Sequence, residues 1–118
     1  MNNQTGEPFL SVEMVTKSFR IAANRIDVLK GVSFTAGRGE WIALTGASGS
    51  GKTTLLDIIG TISRPDSGRV LIDGTDTTAL APRKNVVFRR KKIGFVFQSY
   101  HLLPELTILG NAMLPGML

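Results

Sequence analysis

Hydrophobic and polar positions alternate from the start of the chain. In residues 8–20, PFLSVEMVTKSFR, Leu10, Val12 and Met14 fall on one side and Ser11 and Glu13 on the other, the period of two that marks a half-buried strand. A second alternating stretch, IDVLKGVSFTAGRGE, carries Val28, Val32 and Phe34 and ends in the turn GRGE. The run WIALT has no polar face, as a strand buried in a parallel sheet would not. The period then changes. In KTTLLDIIGTI, Leu55, Leu56, Ile58 and Ile59 recur at helical spacing, and SRPDSG supplies the proline and glycine that stop a helix. RVLIDG predicts another short strand and turn. Residues 82–92 predict a helix with Pro82 in its first turn, IGFVFQ another apolar strand, and PELTILGNAML a last helix.

The predicted order is two antiparallel-type strands, then strand, glycine loop, helix, strand, helix and strand. A strand that feeds a glycine loop opening a helix belongs to an α/β layered fold. No internal repeat or low-complexity linker interrupts it.

Composition narrows the chemistry. The 118 residues suit one small domain, and a hydrophobic fraction of 42% is enough for a buried core. With no cysteine, disulfides, thiolate nucleophiles and Cys-based metal sites are excluded. The start MNNQTGEPFLSVEMV lacks a basic segment followed by an apolar run, so no signal peptide is expected. No stretch approaches the roughly 20 apolar residues of a membrane span, so a membrane role would run through a partner.

Charge is concentrated. The net charge is +5, yet RKNVVFRRKK, residues 83–92, holds six basic residues and no acid, and the rest of the chain has eight basic against nine acidic side chains. A solvated helix face accounts for such a segment. Contact with nucleic acid or anionic lipid is the alternative, and the scarcity of interleaved aromatics argues against nucleic acid.

The densest chemistry lies in GASGSGKTT, residues 46–54. Gly46, Gly51, Lys52 and Thr53 satisfy G-x-x-x-x-G-K-[ST]. Glycines let the backbone wrap so that successive N–H groups point at phosphate oxygens. The helix that starts near Lys52 adds its positive end. The Lys52 ammonium reaches the β- and γ-phosphates, and the Thr53 hydroxyl can ligate Mg²⁺.

Beyond this loop the sequence resembles the ATP-binding subunits of ABC transporters. GASGSGKTTLLDIIG resembles their Walker A segment, RPDSGRVLIDG the turn and strand that follow, and KKIGFVFQSYHLLPELTILGNAMLP their Q-loop. The resemblance is nearest to the lipoprotein-releasing, macrolide-export and antimicrobial-peptide-export group. It implies a P-loop NTPase fold with N-terminal antiparallel strands and part of a parallel sheet, residues 1–118 forming the N-terminal part of one ATP-binding domain. It implies ATP and Mg²⁺ as cofactors. Gly46, Ala47, Ser48, Gly49, Ser50, Gly51, Lys52, Thr53 and Thr54 would hold the phosphates, Thr54 beside the α-phosphate, and Phe19 in KSFR would stack on adenine. Gln98 would contact Mg²⁺ and the attacking water. The segment SYHLLPEL would receive a helix of an integral membrane permease subunit, and a second ATP-binding subunit would complete a dimer at the cytoplasmic face of the inner membrane. The resemblance assigns no nucleic-acid partner and no catalytic role to His101.

The family's LSGGQ-type signature, its apolar strand ending in an aspartate and a catalytic glutamate, and its late histidine have no counterpart in these 118 residues. The implied activity is ATP-driven export or lipoprotein release. The alternative is a nucleotide-binding fragment unable to hydrolyse ATP alone, with exposed apolar edges and poor solubility. Two departures stand out. Gly110 and Ala112 occupy positions where close relatives usually have Glu and Val, and a glycine within a helix costs about 1 kcal/mol relative to alanine. APRKNVVFRRKK also differs from the more polar helix expected before the Q-loop.

Overall fold

The structure, a computed structural model, describes residues 6–117. Strands β1 (Leu10–Ile21) and β2 (Asn24–Ala36) form a long antiparallel ribbon. Strand β3 (Ser67–Ile72) adds to the other side of β1, and the two-residue β4 (Thr75–Asp76) closes the sheet in the order β2-β1-β3-β4, antiparallel throughout. Helix α1 (Lys52–Ile59) lays Leu55 and Ile58 against Val12, Val15, Leu29, Val70 and Ile72, and this cluster is the core. Full burial of a side chain such as Ile58 or Val70 is worth about 1.5–3 kcal/mol.

The alternation predicted for β1 breaks at its middle. Register shifts against both neighbours between Val12 and Thr16 mark a bulge, and Met14 takes φ 47° there. The extra residue flips the inward set. Val15 is 0% exposed in place of Met14, which is 64% exposed, and the Met14 N–H donates to Ser33 Oγ at 2.8 Å. Gly68 on β3 faces this bulge. Its φ is +83°, and a β-carbon there would overlap the carbonyl oxygens of Glu13 and Met14. Both constraints demand glycine.

Helix α1 ends in a Schellman motif. Thr61 N–H donates to Ile58 O at 3.1 Å and Ile62 N–H to Asp57 O at 2.8 Å. The left-handed position is filled by Thr61, φ 65°, while Gly60 just before it has φ −74°. Helix α2 (Pro82–Lys92) has the bounds expected of it, with Pro82 opening its first turn. Helix α3 (Ile108–Met113) starts later than the stretch from Pro104 suggests, capped by Thr107, whose side chain accepts from Gly110 N–H. A 3₁₀ turn, Leu114–Met117, follows.

The expectation of parallel strands at WIALT and IGFVFQ requires correction. Neither stretch carries ladder pairing. A strand needs a neighbour at about 4.8 Å to satisfy its N–H and C=O groups, and none lies beside either stretch among the described residues. Trp41 and Val96 are fully exposed, and Phe97 is half exposed. The exposed apolar edges anticipated from the sequence are therefore present.

Candidate nucleotide-binding site

The site is assembled where β2 passes under the start of α1. Gly51 caps the helix in a left-handed conformation, φ 98°, without any side-chain cap. A β-carbon on Gly51 would lie 2.9 Å from Val28 Cγ1, so the loop can seat on β2 only with glycine here. The first bond within the helix runs from Leu55 N–H to Gly51 O at 2.9 Å. The N–H groups of Lys52, Thr53 and Thr54 thus have no acceptor inside the helix, and the helix end they form is electropositive.

The loop is held from within by its own lysine. Lys52 Nζ donates to the carbonyl oxygens of Gly46 at 2.7 Å and Ala47 at 2.6 Å, and contacts Ser50 Oγ at 3.2 Å. Ser50 N–H donates to Ala47 O at 3.1 Å. A β-carbon on Gly46 would come within 2.8 Å of Ser50 Oγ, so the close approach of the two loop arms depends on its absence.

An open cleft of about 480 Å³ lies over the helix end, lined by Val28, Ser48, Gly49, Gly51, Lys52, Thr53, Thr54 and Gln98. The structure thus brings Gln98 to the glycine loop across 44 or more residues of sequence. Gly46, Ala47 and Ser50 sit behind the cleft as partners of Lys52. Phe19 does not line it. The ring stands 43% exposed on β1, opposite Ile26, with Lys17 Nζ 5.6 Å from its centroid. Val28 is the lining residue that sequence reasoning treated only as a strand position. Its signal was the alternation along β2 together with a glycine loop that had to rest on something.

These groups suit a polyphosphate. The lining offers unpaired first-turn N–H groups, one ammonium and three hydroxyls, and no carboxylate that would repel an anion. For Mg²⁺ it offers only neutral side-chain oxygens, those of Thr53 and Gln98 among them. Among the described residues, no group of three His, Cys, Asp or Glu side chains could hold a metal ion. Mg²⁺ is commonly held by one or two protein groups, phosphate oxygens and water, so this donor set fits the ion only together with phosphates. His101, φ 50°, packs edge-on against Phe97 at 4.6 Å between ring centroids.

A helix that rises from a glycine loop above a β-sheet, with a lysine and hydroxyls at its first turn, defines a phosphate-loop protein. Comparison with known proteins refines the class. Residues 29–115 match the ABC transporter family, and the chain belongs to that family. It is 51% identical over 106 residues to the lipoprotein-releasing system ATP-binding protein LolD of Geobacter metallireducens, covering 90% of this chain and 47% of that protein. It is 42% identical over 116 residues to the macrolide export ATP-binding/permease protein MacB of Bartonella quintana, covering 98% of this chain and 18% of that one. Among solved structures, the dimeric bacterial ABC transporter cassette MJ0796 superposes with a TM-score of 0.85 at 41% identity, covering 92% of this chain and 47% of the cassette. A post-hydrolysis state of the same cassette, bound to ADP and Pi, superposes equally well. The chain therefore spans about half the length of the LolD relative and of the cassette.

Proposed function

We propose that residues 1–118 form the N-terminal part of one ABC ATP-binding domain and hold ATP with Mg²⁺ in the cleft over α1. The observation that carries this reading is the joint placement of Lys52, the open first turn of α1 and Gln98 around one cleft. Lys52 neutralises the terminal phosphates. The N–H groups of Lys52, Thr53 and Thr54 orient them. The Thr53 hydroxyl and Gln98 would hold Mg²⁺, which shields phosphate charge when bound. Ser48 and Gly49 border the opening.

The whole protein, on this reading, is a peripheral subunit at the cytoplasmic face of the inner membrane. It couples ATP binding and hydrolysis to export or lipoprotein release, pairing with a second ATP-binding subunit and a membrane permease. The names of its relatives support the class of process, and the dimeric state of the MJ0796 cassette supports the pairing. No helix of the described residues is long and apolar enough to cross a membrane. The segment after Gln98 offers the permease an apolar cleft of about 400 Å³, lined by Leu102, Leu103, Pro104, Leu106 and Ile108. Adenine stacking by Phe19 is part of the proposal and requires the ring to meet a base beside β1.

The nucleotide cleft lacks a carboxylate, which favours a second reading for the 118 residues alone: binding without hydrolysis. The direct test is the stabilisation of the chain by ATP with Mg²⁺. Lys52→Ala should reduce that binding by about 1.5–3 kcal/mol, the worth of a hydrogen bond to a charged group. Equal ATP stabilisation of wild type and Lys52→Ala would overturn the site. Phosphate release, sensitive to the same substitution, separates an ATPase from a binding fragment. The intact mass of the natural polypeptide, compared with 12.7 kDa, decides whether these residues act alone.

A further inference from the structure

Helix α2 sorts its charges by face. Towards the body of the protein it buries Asn85 and packs Phe88 against the core. Arg89 Nη1 donates to Thr61 O at 2.9 Å, and Lys92 Nζ pairs with Asp73 at 3.8 Å. Outward it presents Arg83, Lys84, Arg90 and Lys91, none of which forms an ion pair with any described residue. Between them stand Val86 and Val87, each about half exposed. Four unpaired cations around two apolar side chains do not neutralise one another.

We propose that this outer face of α2 docks on an anionic phospholipid surface. It rests on the reading of the protein as a membrane-peripheral subunit. The cations complement phosphodiester headgroups, each contributing attraction within a Debye length of the surface. The two valines fit the apolar boundary beneath the headgroups. Single-stranded nucleic acid suits the face less well. The segment's single aromatic, Phe88, points into the core and leaves no ring on which a base could stack.

Co-sedimentation of the full chain with phosphatidylcholine vesicles, with and without about one-third phosphatidylglycerol, tests the assignment. Binding should require the anionic lipid and weaken with salt. Arg90→Gln with Lys91→Gln should lower it about tenfold or more. Arg20→Gln with Lys30→Gln, the same change of charge on exposed positions of β1 and β2, should alter it less than about twofold. Equal losses from both pairs would overturn the proposal, as would equal binding to neutral vesicles, or retention of a nucleic-acid duplex with vesicles ignored. The nucleotide reading is scored separately. Vesicle selectivity without Lys52-dependent ATP stabilisation keeps the docking face and sinks the site, and the opposite pattern does the reverse.

Discussion

Arg89 grips the end of α1 from α2: its Nη1 donates to both the carbonyl oxygen and the hydroxyl of Thr61, at 2.9 and 3.2 Å. This contact steadies a threonine whose φ of 65° is a costly backbone state for a β-branched residue. Arg89→Ala should therefore destabilise the chain by about 1.5–3 kcal/mol, the range for hydrogen bonds to a charged group. Urea unfolding measures it. Arg89→Lys should recover only part of the loss, because an ammonium does not reproduce the planar fork. A destabilisation below about 0.5 kcal/mol would show that the grip contributes nothing.

Gly60 has a different reason for being glycine. Its φ is ordinary, but a β-carbon there would overlap the ring of Phe95. Overpacking of this kind costs about 1–3 kcal/mol, so Gly60→Ala should lower stability by that much. In a Phe95→Ala background the same substitution should cost far less, and the difference is the coupling between the two sites. Additive effects would mean that the ring simply moves aside.

Acid should weaken the sheet. The guanidinium of Arg69 and the hydroxyl of Ser11 hold the Glu13 carboxyl below its ordinary value, and the backbone N–H and hydroxyl of Ser18 do the same for Asp66. A carboxyl whose folded-state value is depressed adds stability above its unfolded value and loses it as pH falls through the folded one. The melting temperature should hold down to about pH 5 and then decline towards about pH 2. Asp66→Asn should lower the plateau and flatten the decline. An unchanged slope in Asp66→Asn would remove Asp66 from the acid response.

Trp41 is the only tryptophan and stands fully in solvent. Its fluorescence should be quenched by acrylamide about as readily as that of a free tryptophan derivative. Protection in the isolated chain would show that WIALT has found a cover, through self-association or another strand.

The sequence was most legible where local chemistry decides the outcome. Pro82 and the polar run behind it specify α2 at both ends, and the glycine loop specifies the start of α1. Gln98 lines the cleft beside the glycine loop, a proximity that spacing in sequence does not disclose and that only the resemblance suggested. Legibility failed where the answer depends on a neighbour. WIALT and IGFVFQ declare a need for burial but not what lies alongside, and without a ladder partner they do not become strands. The exchange of Met14 for Val15 in the core could not be read from alternation either, because a bulge belongs to a pair of strands. Gly68, glycine because of the carbonyls of β1, marks the bulge from the opposite strand. Phe19 shows the same limit, since a stacking role requires a base, which sequence position alone does not supply.

On the proposed reading, the hold of Lys52 on Gly46 and Ala47 bears on affinity. An incoming phosphate does not meet a free ammonium. It must take one from two carbonyl oxygens that already hold it, so binding is an exchange of partners and the measured affinity is a difference between two sets of bonds. Release of the lysine would leave the Ser50 N–H bond to Ala47 O as the tie within the loop, so a bound phosphate would take over part of the work of keeping the loop shut.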